Sequence, residues 1–151
     1  MNQATPLKER ITADMKSAMR AKEKQRLQAI RLILAVIKQR EVDERRELEE
    51  AGLIALLDKM AKQRRESIEQ YRAADRPDLA EQEQFELEII QGYLPEALGE
   101  EEIEALIEEA IATTGATSMR DMGKVMGELK PKLQGRADLA AVSGKVKARL
   151  S

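Results

Sequence analysis

The chain has 151 residues, 42% hydrophobic and 36% charged, with a formal net charge of −2 and neither cysteine nor histidine. That length suits one domain or two small ones. The missing residue types exclude disulfides, thiolate zinc sites, cysteine nucleophiles and every histidine-dependent triad. Lysine, aspartate and glutamate remain, but the usual proton shuttle near neutral pH is gone.

Thr5-Pro6 reads as an N-cap followed by proline at the first helical position. The spacing predicts a first helix to about residue 21, with Leu7, Ile11, Met15, Ala18 and Met19 on its apolar face. A second helix, 23–46, follows with little break; Leu27, Ile30, Leu34 and Ile37 form its main stripe. Leu32, Ile33 and Val36 widen that stripe until the middle is apolar nearly all round, so this helix is expected to be the most buried. A turn near Ala51-Gly52 precedes a third helix, 53–74, using Leu53, Leu56, Leu57, Met60, Ile68 and Tyr71. Asp75-Arg76-Pro77-Asp78 stops one helix and starts the next, and the fourth, 77–93, buries Leu79, Phe85, Ile89, Ile90 and Tyr93.

Composition changes after Gly92-Tyr93-Leu94-Pro95, and a domain boundary is expected at 95–99. It divides the chain into an N-terminal helical domain, 1–95, and a C-terminal domain, 96–151. Three shorter helices are predicted in the second: 100–114, closed by Gly115; 119–131, weakened by Pro131; and 138–150, capped by Asp138. At about 55 residues this piece lies near the lower size limit for independent folding. No segment shows period-two alternation, so the fold class is all-α.

Tyr71, Phe85 and Tyr93 are the only aromatics. The core must therefore be Leu, Ile, Val, Ala and Met, which suits helices. The longest apolar run, Leu32 to Ile37, is far short of the ~20 residues that cross a bilayer. No apolar segment follows a basic start, so no signal peptide and no membrane partner are expected, and a cytoplasmic location follows by default.

Charge is strongly segregated. Residues 1–40 carry ten basic and three acidic side chains, 96–118 carry seven glutamates and no base, and 119–151 carry eight bases and three acids. Patches therefore say more about partners than the whole-chain charge.

The segment Asp121-Met-Gly-Lys-Val-Met-Gly-Glu-Leu-Lys-Pro-Lys-Leu-Gln-Gly-Arg-Ala-Asp138 carries the main functional candidate. Met122, Met126, Leu129 and Leu133 keep helical spacing, while Gly123 and Gly127 occupy an adjacent strip. Each glycine costs roughly 1 kcal/mol against alanine in a helix interior. Either another helix crosses closely there and the lysines are a solvated face, or a ligand approaches, with Lys124, Lys130, Lys132 and Arg136 making an anionic one such as a phosphate backbone a candidate. A Walker A motif is rejected, because Ser118 and Val125 stand where it needs glycine and Ser/Thr.

Three blocks carry a family resemblance. They are Arg10-Ile-Thr-Ala-Asp14-Met-Lys-Ser-Ala-Met19 running into Arg26-Leu-Gln-Ala-Ile-Arg31; Tyr93-Leu-Pro95 leading to Glu101-Glu-Ile103; and Asp121-Met-Gly-Lys-Val-Met-Gly127 with Gly135-Arg-Ala-Asp138. With them the chain closely resembles the YqeY branch of the GatB/YqeY family over essentially its full length. The last block is similar to the small helical tail of the B subunit of glutamine-dependent aspartyl/glutamyl-tRNA amidotransferase, regarded as a tRNA-contacting appendage. The resemblance implies a four-helix N-terminal region, a three-helix tail and a link to transamidation on tRNA. Gly99 stands where relatives often place Ser or Thr, and nothing here resembles the amidotransferase catalytic domain.

Two further features have bland readings beside functional ones. Lys16, Arg20 and Lys24, continued by Arg31 and Lys38, make one basic face if the first two helices are nearly continuous. That face tracks a nucleic-acid backbone or is an ordinary solvated surface. The glutamates at 100, 101, 102, 104, 108 and 109 suit a helix start better than a metal site.

The expectation is a non-catalytic tRNA- or RNA-associated accessory module using Gly123, Lys124, Gly127, Lys130, Lys132 and Arg136, with no cofactor and no metal. One alternative is participation in carbon–nitrogen ligase activity with glutamine as amide donor, alongside amidotransferase-type subunits. Another is a protein-interaction module without RNA.

Overall fold

A computed structural model describes residues 5–151; the first four positions of the expected 1–95 domain lie outside them. The protein is all-α: α1 Pro6–Arg20, α2 Lys24–Glu44, α3 Glu50–Ala73, α4 Pro77–Gln91, α5 Glu100–Thr114, α6 Met122–Leu133 and α7 Leu139–Leu150, with a short 3-10 turn at Met119–Asp121. Two compact units result, the first ending at Leu94 and the second spanning Pro95–Ser151.

In the first unit, Thr5 Oγ1 accepts from the Lys8 amide at 3.2 Å and Pro6 fills the first position of α1. That satisfies one orphan donor and removes another. Lys22 takes a left-handed conformation (φ 58) between α1 and α2, so the two helices are separate rods. The basic face drawn through Lys16, Arg20 and Lys24 is broken at this turn. Helix α3 starts at Glu50, ahead of the expected 53, because the Leu53 amide already donates to the Glu49 carbonyl at 2.9 Å. Buried Leu48 and Leu53 flank that start as a hydrophobic staple, with Leu48 Cδ2 lying 3.5 Å from where a Gly52 Cβ would stand. Gly52 is thus part of the first turn of α3.

Ile11, Ile30, Ile33, Ile37, Leu53, Leu57 and Ile90 fill the core of this unit. Helix α3 contributes Leu53, Leu56, Leu57, Met60, Ala61 and Ile68, whereas α2 buries only Ala29, Ile30, Ile33 and Ile37. The expectation that α2 is the most buried helix is therefore corrected. Its neighbours α1, α3 and α4 cover one side of it, and Leu32 stays 41% exposed.

In the second unit Gly115 (φ 67) ends α5, and the Ala116 amide returns to the Ile111 carbonyl at 3.2 Å. This is the left-handed stop that glycine makes cheaply. Ile107, Val125, Leu129, Leu133, Val142 and Val146 form the core. Helix α6 continues to Leu133 with Pro131 inside it. The proline forfeits one bond, yet complete burial of Leu133 and the Gln134 amide reaching the Lys130 carbonyl at 2.9 Å carry the helix past it. Asp138 Oδ1 accepts from the Ala140 amide at 3.0 Å and caps α7.

Candidate nucleic-acid interface

The predicted site residues divide by what the second unit does with them. Val125, Leu129 and Leu133 turn inward from α6, while Gly123, Lys124, Gly127 and Lys130 are exposed on the other side. A Cβ built on Gly123 or Gly127 meets no atom within 4 Å. No helix of the second unit therefore crosses closely at these glycines, which weighs against one of the two explanations for them. The strip is open, and the helical backbone itself forms its surface. Pro131, four residues beyond Gly127, has no amide to give the Gly127 carbonyl.

The basic residues of 119–151 are not equally available. Lys145 stands 3.4 Å from Glu100 and 3.5 Å from Glu104, and Arg149 2.6 Å from Glu104 and 3.3 Å from Glu108. Three of the six glutamates, Glu100, Glu104 and Glu108, thus face Lys145 and Arg149 of α7. Lys132 lies 3.8 Å from Glu109. Arg136 is committed to the backbone: its Nε donates to the Glu96 carbonyl at 3.1 Å, and its own carbonyl accepts from the Leu98 amide at 2.9 Å. It pins the segment leading into α5.

Lys124 and Lys130 have no carboxylate within 4.0 Å among the described residues. The Thr117 amide, donating to Asp121 at 3.0 Å, holds the Asp121 carboxyl below its ordinary value, and the Lys124 charge adds to this. Of the six predicted residues, Gly123, Lys124, Gly127 and Lys130 come together on one face of α6. Lys132 and Arg136 have intramolecular partners elsewhere.

A second cluster was not singled out from the sequence, although its members sit in the quoted family blocks. In the first unit Tyr93 Oη donates to Asp14 Oδ2 at 2.6 Å, and the Arg10 guanidinium lies over the Tyr93 ring, 5.0 Å from its centroid. Arg10 also donates to the Gly92 carbonyl at 2.8 Å, and Arg26 approaches Asp14 at 4.0 Å. Burial raises the Tyr93 phenol well above its ordinary value, and donation to Asp14 raises it further. A phenol so firmly protonated is a donor and not a base. The cluster ties the end of α4 to α1 and α2. The i, i+4 pair Arg10/Asp14 together with an isolated tyrosine before proline was the available signal.

Neither arrangement assembles a nucleophile with a base; what the α6 face offers is backbone left bare at Gly123 and Gly127 beside the exposed Lys124 and Lys130. The family model for Yqey-like protein matches residues 8–150. The chain is 38% identical over 140 residues to "Altered inheritance of mitochondria protein 41, mitochondrial" of Pyrenophora tritici-repentis, covering 91% of this chain and 77% of the relative. The protein of that name from Eremothecium gossypii is 39% identical over 113 residues, covering 70% and 62%. That from Saccharomyces cerevisiae is 29% identical over 125 residues, covering 79% and 68%. Across such relatives the chain spans from 48% to 77% of their lengths.

These names overturn the expected cytoplasmic location, since they set the relatives in mitochondria. The default rested on the lack of an apolar leader, which bears on secretion alone; organellar transit peptides are amphipathic and Arg-rich instead. The matched span and the identities agree with the resemblance carried by the three sequence blocks: the chain belongs to the YqeY-like family.

Proposed function

We propose that the chain is an RNA-associated accessory module that meets tRNA through the exposed face of α6. The open glycine strip carries this reading. Two helical glycines with nothing packed against them lie beside Lys124 and Lys130, so a sugar-phosphate backbone can approach the helix more closely than any side-chain-covered face allows. The family's similarity to the amidotransferase tail supports the choice of tRNA. Transamidation chemistry, in this reading, belongs to amidotransferase-type subunits and not to this chain.

The test is tRNA binding by fluorescence anisotropy across a salt series, with mitochondrial tRNA beside bulk tRNA. Log affinity is expected to fall linearly with log salt, by about 0.7–0.9 per phosphate neutralised. Changing Lys124 and Lys130 together to alanine should flatten the slope by about 1.4–1.8. An unchanged slope removes this face. Tight association with amidase-type subunits and no affinity for RNA would favour the ligase-associated alternative.

A further inference from the structure

Helix α2 carries more apolar surface than its neighbours cover. It buries Ala29, Ile30, Ile33 and Ile37, yet Val42 is 57% exposed on the outward side with Leu32. Gln28, Leu32, Ala35, Gln39 and Val42 are all exposed and follow one another at spacings of 4, 3, 4 and 3. That is the seam period of paired helices, here about 21 Å long at 1.5 Å per residue. Along one border run Lys24, Arg31, Lys38 and Arg45, all exposed and seven residues apart. None of these four has a carboxylate within 4.0 Å among the described residues, although the Lys38 charge acts on Glu41 at longer range. At its C-terminal end the seam opens into a largely charged cavity of about 550 Å³, where Lys38 and Arg45 stand beside Val42 and the carboxylates Glu41 and Glu47.

We propose that this face docks an amphipathic helix of a partner protein, with its apolar seam flanked by Glu or Asp. Charge selects this occupant. A second copy set antiparallel would bring the four cations against their equivalents, and a parallel copy offers them a single acid, Asp43. A nucleic acid would answer the cations but leave Leu32 and Val42 unmatched. An acidic amphipathic helix satisfies both, its charged flank steering and orienting the seam.

The test uses the full chain and a labelled synthetic helix of about three heptads, with Leu and Ile on the seam and Glu on the flanks, beside a matched peptide carrying Lys flanks. The Glu peptide should bind and the Lys peptide should not. Leu32→Glu with Val42→Glu should weaken binding at least about tenfold, with helical circular dichroism unchanged because both positions are exposed. Lys38→Glu with Arg45→Glu should transfer preference to the Lys peptide. Equal binding of both peptides, no binding of the Glu peptide, or indifference to the seam substitutions would overturn the proposal. So would dimerisation of the chain, or adsorption to anionic phospholipid vesicles, abolished by the seam substitutions while the Glu peptide stays unbound.

Discussion

Replacing Gly123 and Gly127 by alanine separates a structural glycine from a functional one. Gly127 is the sixth residue of the twelve-residue α6, where alanine is favoured by about 1 kcal/mol. Gly123 is the second residue, in the first turn, where about half of that is expected. No neighbour lies within 4 Å of either added Cβ, so no clash subtracts from the gain. The pair should stabilise α6 by about 1.5 kcal/mol, slowing exchange of its amides through local opening by about tenfold. Native-state hydrogen exchange on the full chain measures this directly. The same variant should bind tRNA more weakly, and leucine at both positions weaker still, because the methyls and isobutyls hold the backbone away. A helix that becomes more stable while its partner is lost is the signature of glycines kept for contact. Slower exchange with unchanged tRNA affinity even for the leucine pair would refute the reasoning, and destabilisation by alanine would mean that something packs on the strip after all.

Tyr93→Phe removes the 2.6 Å bond to Asp14 and should cost the first unit about 1–2 kcal/mol in urea unfolding; no loss would deny the latch between α4 and α1. Arg64 Nε lies 3.3 Å from Glu83 and 3.0 Å from Glu86, all three side chains about one-fifth exposed. Arg64→Met should cost about 1–3 kcal/mol, less than a fully buried pair would. Burial lifts the Glu86 carboxyl above its ordinary 4.5, against the pull of Arg64 and with the help of Glu83. Its favourable state is therefore the protonated one: stability falls as pH rises through the folded value, and Arg64→Met should steepen that fall. Glu41 has the opposite sign. Burial pushes its carboxyl up, but bonds from Lys8 at 2.9 Å and from the Leu48 amide at 2.9 Å outweigh it and leave it below 4.5. Its contribution is present above 4.5 and lost as pH falls below that. Glu41→Gln should thus cost about 1 kcal/mol at neutral pH, with the gap between variant and wild type closing in acid; a gap independent of pH would contradict the assignment.

The helices were legible because their signals are local. Thr5-Pro6, Asp75-Arg76-Pro77, Gly115 and Asp138 mark termini by backbone chemistry that needs no tertiary partner. Where tertiary packing competes with local preference, the sequence misled. Pro131 sits inside α6 because Leu133 belongs to the core, and α3 starts before Gly52 because Leu48 and Leu53 are both buried. Helix α2 reads as the most buried helix in the sequence because composition measures how apolar a helix is, not how many neighbours it has. The candidate site was legible as a set of residue types and not as a geometry. That Lys145 and Arg149 are answered by α5, and that Arg136 serves the backbone at Glu96, depends on contacts across forty or more positions of chain. No one-dimensional charge count reveals them. The Arg10–Tyr93–Asp14 cluster was hidden for the same reason, since its members come from opposite ends of the first unit.

Contact between RNA and the bare face of α6, as proposed, is read residue by residue in amide chemical-shift mapping of the labelled protein on titration with tRNA. Shifts and line broadening should concentrate at Gly123, Lys124, Gly127 and Lys130 and vanish in the leucine pair. Perturbation confined to other helices, or a spectrum unmoved at saturating tRNA, would contradict it.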